Sequence, residues 1–332
     1  MTRIIKKPLL RTMVIVCEDS EVTPSYLRGF ANELKAWDAI DIFPLPAEEA
    51  GTTTNAVEHK SGRKLRKLHA VSTPLSLDIE KEYKAVPTRY VREAQKRMEE
   101  AGHNEAWAVY DKDGHPHHEN SYLLAQQHPR VNIAFNSIAI EQWFLLHFEI
   151  NHVAYQKSAH IPLATHIAEY VIEKKAKTKI YDHLKLRLPV ALNNVVALRL
   201  RQNNPKIRFY EKNPYANMDH LLLRMHGYGL MFPGDSFIIQ GITFSILMKD
   251  EVCEVHVLNN AKAALISTQI QFYTIASNGA KNNIAKEREI VSPGATKEFS
   301  FEVKAYPLFY MEFANEVIVI DTTCNEPRII AC

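Results

Sequence analysis

Met13-Val14-Ile15-Val16-Cys17-Glu18 is a run of five apolar residues, three of them β-branched, closed by a carboxylate. A run of this kind is the signature of a strand buried on both faces, as in the middle of a parallel sheet. After it, Thr23 and Pro24 mark the start of a helix expected from Thr23 to Trp37, with Thr23 as the N-cap, and Leu27, Phe30, Leu34 and Trp37 share one face of it. Residues 107–110 and 131–135 read as two further short strands, the second followed by an apolar helix over 138–148. A helix from Thr88 to Ala101 fills part of the gap between the first two strands, and Gly102 supplies its C-terminal cap. Gaps this long accommodate helical crossovers, so the first part of the chain is predicted to be an α/β unit, a parallel sheet flanked by helices.

Residues 164–223 keep a helical pattern, punctuated by Pro189, Pro205 and Pro214. At Gly227, Gly229, Pro233 and Gly234 the texture changes and the apolar period becomes two: Ile266, Thr268, Ile270 and Phe272 share one strand face, as do Phe299, Phe301 and Val303. The division expected is an α/β domain with a helical extension over 1–229 and an antiparallel β-sandwich over 232–332. Tyr306, Phe309, Tyr310 and Phe313 are expected in the sandwich core.

Composition narrows the function classes. The chain has 332 residues, 46 % of them hydrophobic, and only 11 glycines and 16 prolines, which excludes a disordered or collagen-like protein. Forty basic residues against 38 acidic ones give a formal charge of +2, so net charge does not announce a nucleic-acid binder. The cysteines, Cys17, Cys253, Cys324 and Cys332, lack CxxC spacing and read as free thiols of a reducing cytosol. The N-terminal stretch carries no cleavable-leader pattern, and no segment approaches the roughly 20 apolar residues of a membrane span.

The chemistry lies at the strand ends. Glu18 follows the first strand directly; Asp111 and Asp113 follow the second. In a parallel α/β sheet the carboxyl ends of the strands form the ligand crevice, and three acids there would repel one another unless a cation such as Mg²⁺ or Mn²⁺ neutralised them. If the strand end is extended, the D-x-D spacing aims both aspartates at one ion. His115 follows closely, able to orient a phosphate or a bound water; His117 and His118 read as solvated loop residues. Glu141 and His147, six residues apart, fall on different faces of their helix and should not share an ion. His147 is read as an anchor of that helix and Trp143 as core.

The segments VIVCEDSEVTPSYL, AVYDKDGHP, IAFNSIAIEQWFLLHFE and NPYANMDHLL resemble, in order and spacing, the successive motifs of the RloB family, a branch of the Toprim superfamily encoded in bacterial phage-defence and abortive-infection loci. The resemblance covers about residues 10–226. It implies a Toprim-like fold and a metal-dependent nuclease that cleaves phosphodiester bonds of DNA or RNA, tRNA included. Glu18 would be the general acid/base or a metal ligand, and Asp111 and Asp113 the metal ligands. Glu141, Trp143, His147 and Phe148 match one family run, and Asn213, Pro214 and Asn217 another; His115 belongs to the pattern as well. The chain departs from it at Asp19, which replaces a glycine, at Ser20 and Thr23, which stand where glutamates are common, and at Ile138, which replaces a proline. The resemblance also implies an AAA-class ATPase encoded nearby as partner; homo-oligomerisation stays open. Two basic runs, Lys60, Arg63, Lys64, Arg66 and Lys67, then Lys174, Lys175, Lys177, Lys179, Lys185 and Arg187, would track a phosphate backbone beside such a crevice. The rival expectation is a non-catalytic, regulatory nucleic-acid-binding subunit that recognises a partner through its β domain.

Overall fold

In the computed structural model the described residues are 12–36, 38–44, 87–167, 179–202, 204, 206–266, 269–285 and 289–324. The run that opens the sequence is β1 (Met13–Cys17), buried along its whole length. It lies in a five-stranded sheet between β2 (Ile40–Pro44) and β3 (Glu105–Asp111), followed by β4 (Val131–Ser137) and a short β5 (Tyr215–Ala216), in the order β2-β1-β3-β4-β5. The pairings of β1 with β2, β1 with β3 and β3 with β4 are parallel; β5 closes the edge antiparallel to β4.

Alternation along β1 sorts its side chains to two cores. Met13, Ile15 and Cys17 join one cluster with α1 (Val22–Leu34), and Val14 and Val16 join another with α2 (Thr88–Ala101) and α3 (His118–Gln127). Both faces are therefore covered, which is why this strand carries no polar residue. α2 ends as expected at Gly102, whose φ of 72° is left-handed. The predicted 138–148 helix is shorter, with only Glu141–Leu145 (α4) fully α-helical. β2 and α3 went unrecognised in the sequence; β2 is a half-buried edge strand without a continuous apolar run.

α5 (Ile180–Leu184) and α6 (Leu188–Arg201) continue the first core, and α7 (Met218–Met225), buried on all sides, leads into the β region. That region begins at β6 (Gly229–Met231), which pairs parallel to the last strand, so the sandwich takes up residues ahead of 232. A Cβ on Gly229 would come within 2.3 Å of the Ile318 Cδ1, so a side chain here would make that terminal methyl move. One sheet holds β7 (Ser236–Ile239), β8 (Ile242–Lys249), β9 (Val252–Asn259) and β14 (Thr296–Glu302) in the order β14-β9-β8-β7. The other holds β11 (Gln271–Ile275), β12 (Lys281–Asn283), β15 (Leu308–Phe313), β16 (Glu316–Asp321) and β6, in the order β12-β11-β15-β16-β6. β10 (Leu265–Ile266) and β13 (Ile290–Val291) form a separate pair. The single strand expected over 266–272 is thus two, and Thr268 lies outside the described residues. Phe244, Val255 and Val257 of one sheet meet Phe272, Phe309 and Met311 of the other in a shared core, with Tyr306 at its margin.

The second sheet is buried on its other face as well. Tyr310 and Val319 pack with Leu223 of α7, against the α/β unit. A polar clamp joins the two units there. The Arg199 guanidinium, 2 % exposed, binds Asp219 bidentately at 2.9 and 2.7 Å and Asp321 at 2.9 Å, and donates its remaining N–H groups to Thr323 and to the Ala216 carbonyl. All five donors are satisfied. His220 adds a 2.8 Å contact to Asp321. Burial would push the Asp321 carboxyl up, but Arg199 and His220 hold it well below the usual carboxylate range. Arg224 and Glu105 form a second buried pair, between α7 and β3. Among the described residues no helix is long and apolar enough to cross a membrane.

Arg199→Met leaves Asp219 and Asp321 buried without their cation. It should lower stability by about 3–5 kcal/mol, read as a fall in the urea midpoint.

Candidate metal centre

The parallel register sets Cys17 beside Val109, so β1 and β3 end at nearly the same level and Glu18 and Asp111 emerge side by side. Glu18 Oε2 accepts the Asp111 backbone N–H at 2.8 Å, and Glu18 Oε1 lies 3.1 Å from His115 Nε2. The Tyr90 hydroxyl, from α2, lies near the Glu18 carboxylate; burial, together with the charge of that carboxylate, raises the tyrosine's pKa. Burial raises the Glu18 carboxyl and Asp113 adds to the shift, against the lowering effect of the Asp111 N–H and His115.

Beyond β3 the chain does not stay extended. Asp113 has φ 34° and donates its N–H to the Ile138 carbonyl at 3.2 Å, a turn that carries Asp113 and His115 back over Glu18. One ligand atom each from Glu18, Asp113 and His115 falls within 4.8 Å of the others. Asp111 stands beside this group. Its Oδ1 accepts from Asn136 at 3.2 Å and its Oδ2 from the Ile140 N–H at 3.0 Å, which fixes its rotamer. Burial and the negative charges of Glu18 and Glu141 raise the Asp111 carboxyl well above its ordinary value. The turn at Asp113 separates the two aspartates of the D-x-D, and it is a His115 nitrogen that lies with the Glu18 and Asp113 oxygens. Two carboxylates and one imidazole fit a divalent cation of the Mn²⁺ or Mg²⁺ type, the imidazole favouring Mn²⁺. Glu141, at the start of α4, adds its negative charge to the surroundings of Asp111.

Several neighbours carried no sequence signal that was used. Asn136, the penultimate residue of β4, pairs with Asp111 at the end of β3, so the strand-end rule extended by one strand points to it. Lys112 donates to the Glu211 and Lys212 carbonyls at 2.9 and 3.3 Å, tying the turn to the segment before β5; burial lowers its pKa. His118 is not a solvated loop residue. It opens α3 half-buried, stacks on Tyr110 and contacts the Lys112 carbonyl at 2.9 Å, whereas His117 is exposed.

The other motif residues are structural. Asn217 accepts the Phe135 N–H at 2.6 Å and donates to the Ile133 carbonyl at 3.1 Å, so it satisfies β4 where β5 does not reach. Trp143 and His147 are both fully buried: Trp143 donates to the Tyr26 hydroxyl at 3.0 Å, and His147 lies 3.1 Å from the Trp143 carbonyl and 3.4 Å from the same hydroxyl. Asp19, not Thr23, caps α1, its Oδ1 accepting the N–H groups of Glu21, Val22 and Thr23 at 2.9, 2.6 and 3.1 Å. The reason is position: Thr23 lies inside the first turn, where its own N–H needs an acceptor. The Ser137–Ile138 peptide is cis. Lys60, Arg63, Lys64, Arg66, Lys67, Lys174, Lys175 and Lys177 lie outside the described residues.

The model of the RloB-like protein family matches residues 13–225. The chain belongs to the RloB-like family. The match spans the five-stranded sheet with its helices and stops at the last residue of α7, just before β6; Glu18, Asp111, Asp113, His115 and Glu141 all lie inside it. No curated protein and no solved structure matches the chain.

Burial lowers the His147 imidazole of this RloB-like chain from 6.5 to about 4, so the folded state keeps it neutral. Stability linked to it is fully present above pH 6.5 and lost as pH falls toward 4, because the unfolded chain takes up the proton first. Between pH 7 and pH 5 the wild type should lose about 2 kcal/mol more than His147→Gln, measured by urea unfolding at both pH values.

Proposed function

We propose that this protein is a metal-dependent nuclease of the Toprim class, hydrolysing phosphodiester bonds of DNA or RNA in antiviral defence. The observation that carries the reading is the convergence of Glu18, Asp113 and His115 at the carboxyl ends of adjacent parallel strands, the place where α/β sheets bind ligands. A divalent ion held by these three would offset the charge of a scissile phosphate. Glu18 Oε2 is held by the Asp111 N–H, which leaves Oε1 facing His115. Asp111 acts as a positioning residue: clamped by Asn136 and Ile140, it orients the N–H that holds Glu18. Glu141, at the start of α4 next to the Ile140 N–H that holds Asp111, adds a further negative charge beside the site.

Support for a polyanionic substrate comes from the two basic runs rather than from the cleft next to the site. That cleft, about 750 Å³ between α1 and α5, begins at Ser20 and Glu21, and its Arg28, Lys179 and Lys185 are matched by Glu21, Glu33 and Asp182. An ATPase encoded alongside remains the partner proposed from the resemblance. The Asp19 carboxylate takes up the N–H groups of Glu21, Val22 and Thr23 at the start of α1, so a substrate phosphate would be held by the ion and not by that helix end.

Plasmid DNA, single strands and total tRNA should be cut with Mn²⁺ or Mg²⁺ and spared with EDTA. Glu18→Ala and Asp113→Ala should each lower the rate by at least about 100-fold. Asp111→Asn should weaken Mn²⁺ binding about tenfold, less than Asp113→Ala does, since only the latter removes a ligand. No cleavage by the wild type, alone or with the neighbouring ATPase, rules out the nuclease and leaves the binding-only role.

A further inference from the structure

A second convergence of metal-ligating side chains lies on the C-terminal unit, on a sheet that takes no part in the crevice. Within the β14-β9-β8-β7 sheet, Val255, Val257 and Phe301 face the core, so the residues between them face outward. Glu254 and His256 are two apart on β9, and the ladder sets Glu298 of β14 directly opposite His256. His256 Nε2 lies 3.2 Å from Glu254 Oε2 and 3.5 Å from Glu298 Oε2. The three ligand atoms all fall within 4.8 Å of one another. Ser300, opposite Glu254, donates to the other Glu298 oxygen at 3.3 Å and turns that carboxylate toward the histidine.

An ordinary ion pair accounts poorly for this arrangement. A histidine nitrogen carries at most one hydrogen, yet two carboxylates converge on the same nitrogen. Among the described residues neither Glu254 nor Glu298 forms an ion pair with a lysine or arginine. Glu254 is only 14 % exposed, so water screens it poorly. Like charges held this close are unfavourable unless a cation lies between them. A metal ion in front of Nε2 would use its lone pair and one oxygen of each carboxylate together.

We propose that Glu254, His256 and Glu298 form a second divalent-metal site, selective for a borderline transition ion such as Zn²⁺ over Mg²⁺. The imidazole sets the selectivity, since Mg²⁺ demands an octahedral oxygen shell and dehydrates reluctantly. Three protein ligands leave the fourth tetrahedral position to water or to an outside donor. The ion would staple the outermost strand, β14, to β9. The site stands independently of the nuclease reading, because no residue is shared.

The test uses the full chain, stripped with chelator, in a Glu18→Ala/Asp113→Ala background that removes the first cluster. Calorimetric titration with Zn²⁺ should show one equivalent bound, undisturbed by millimolar Mg²⁺, together with a rise in thermal midpoint. Adding His256→Ala or Glu298→Gln should weaken binding at least 100-fold and abolish the rise, while the far-ultraviolet circular dichroism without metal stays unchanged. No Zn²⁺ binding in the background protein, or binding of equal affinity after both further substitutions, overturns the site. Should either further substitution alter the fold, Ser300→Ala is read instead: it leaves the ligands in place, and a loss of several-fold in affinity supports the site where an unchanged affinity counts against it.

Discussion

The hydrogen bond from the Asp111 backbone to the Glu18 carboxylate is the point on which the geometry turns. It exists because β1 and β3 are parallel, adjacent and in a register that ends both strands at one level. Parallel neighbours in the middle of a sheet are buried on two faces, which places helices above and below and leaves the strand ends open to a ligand. The crowding of acids there follows from that register. Each of these two acids is met by a specific donor: the Asp111 N–H for Glu18, Asn136 and the Ile140 N–H for Asp111. Asp113 and His115 arrive from a turn and keep their ligand atoms directed at Glu18.

Two buried ionic clamps hold this crevice to the rest of the molecule. Arg224 ties α7 to Glu105 at the start of β3, and Arg199 ties α6 and α7 to Asp321 at the end of β16. A buried ion pair contributes little net stability, but a wrong arrangement leaves charges unpaired, so such clamps specify one docking of the β-sandwich on the α/β unit. The sandwich sheet that meets α7 is buried on both faces, the condition that β1 satisfies in the first unit. The two units form a continuous body through this layer, and the family match ends just before the strand that begins it.

Much of the fold was legible in the sequence where the signal is local. The five-residue run of β1, the Gly102 cap of α2 and the alternation of Phe299 and Phe301 each reflect a short-range preference that tertiary packing then reinforced. β2 was missed because an edge strand needs no apolar run, and α3 because its first turn is built of histidine and acid residues. The N-cap of α1 was misplaced by a few residues because Asp19 and Thr23 are both good caps, and only the path of the chain after Glu18 chooses between them.

The sequence alone determined that carboxylates follow two buried strands, and hence that an acidic crevice would form at one edge of a parallel sheet. Its reason is short-range: β-branched runs make strands, and a polar residue at their end must reach solvent or a ligand. Which of those acids converge was decided only in the tertiary structure. The positive φ at Asp113 and its bond to the Ile138 carbonyl bring His115 to Glu18 and leave Asp111 to Asn136, a partner 25 residues away. The cluster of Glu254, His256 and Glu298 has the same origin, since a strand register over more than 40 residues of chain separation is set by pairing and core packing, which no local pattern encodes.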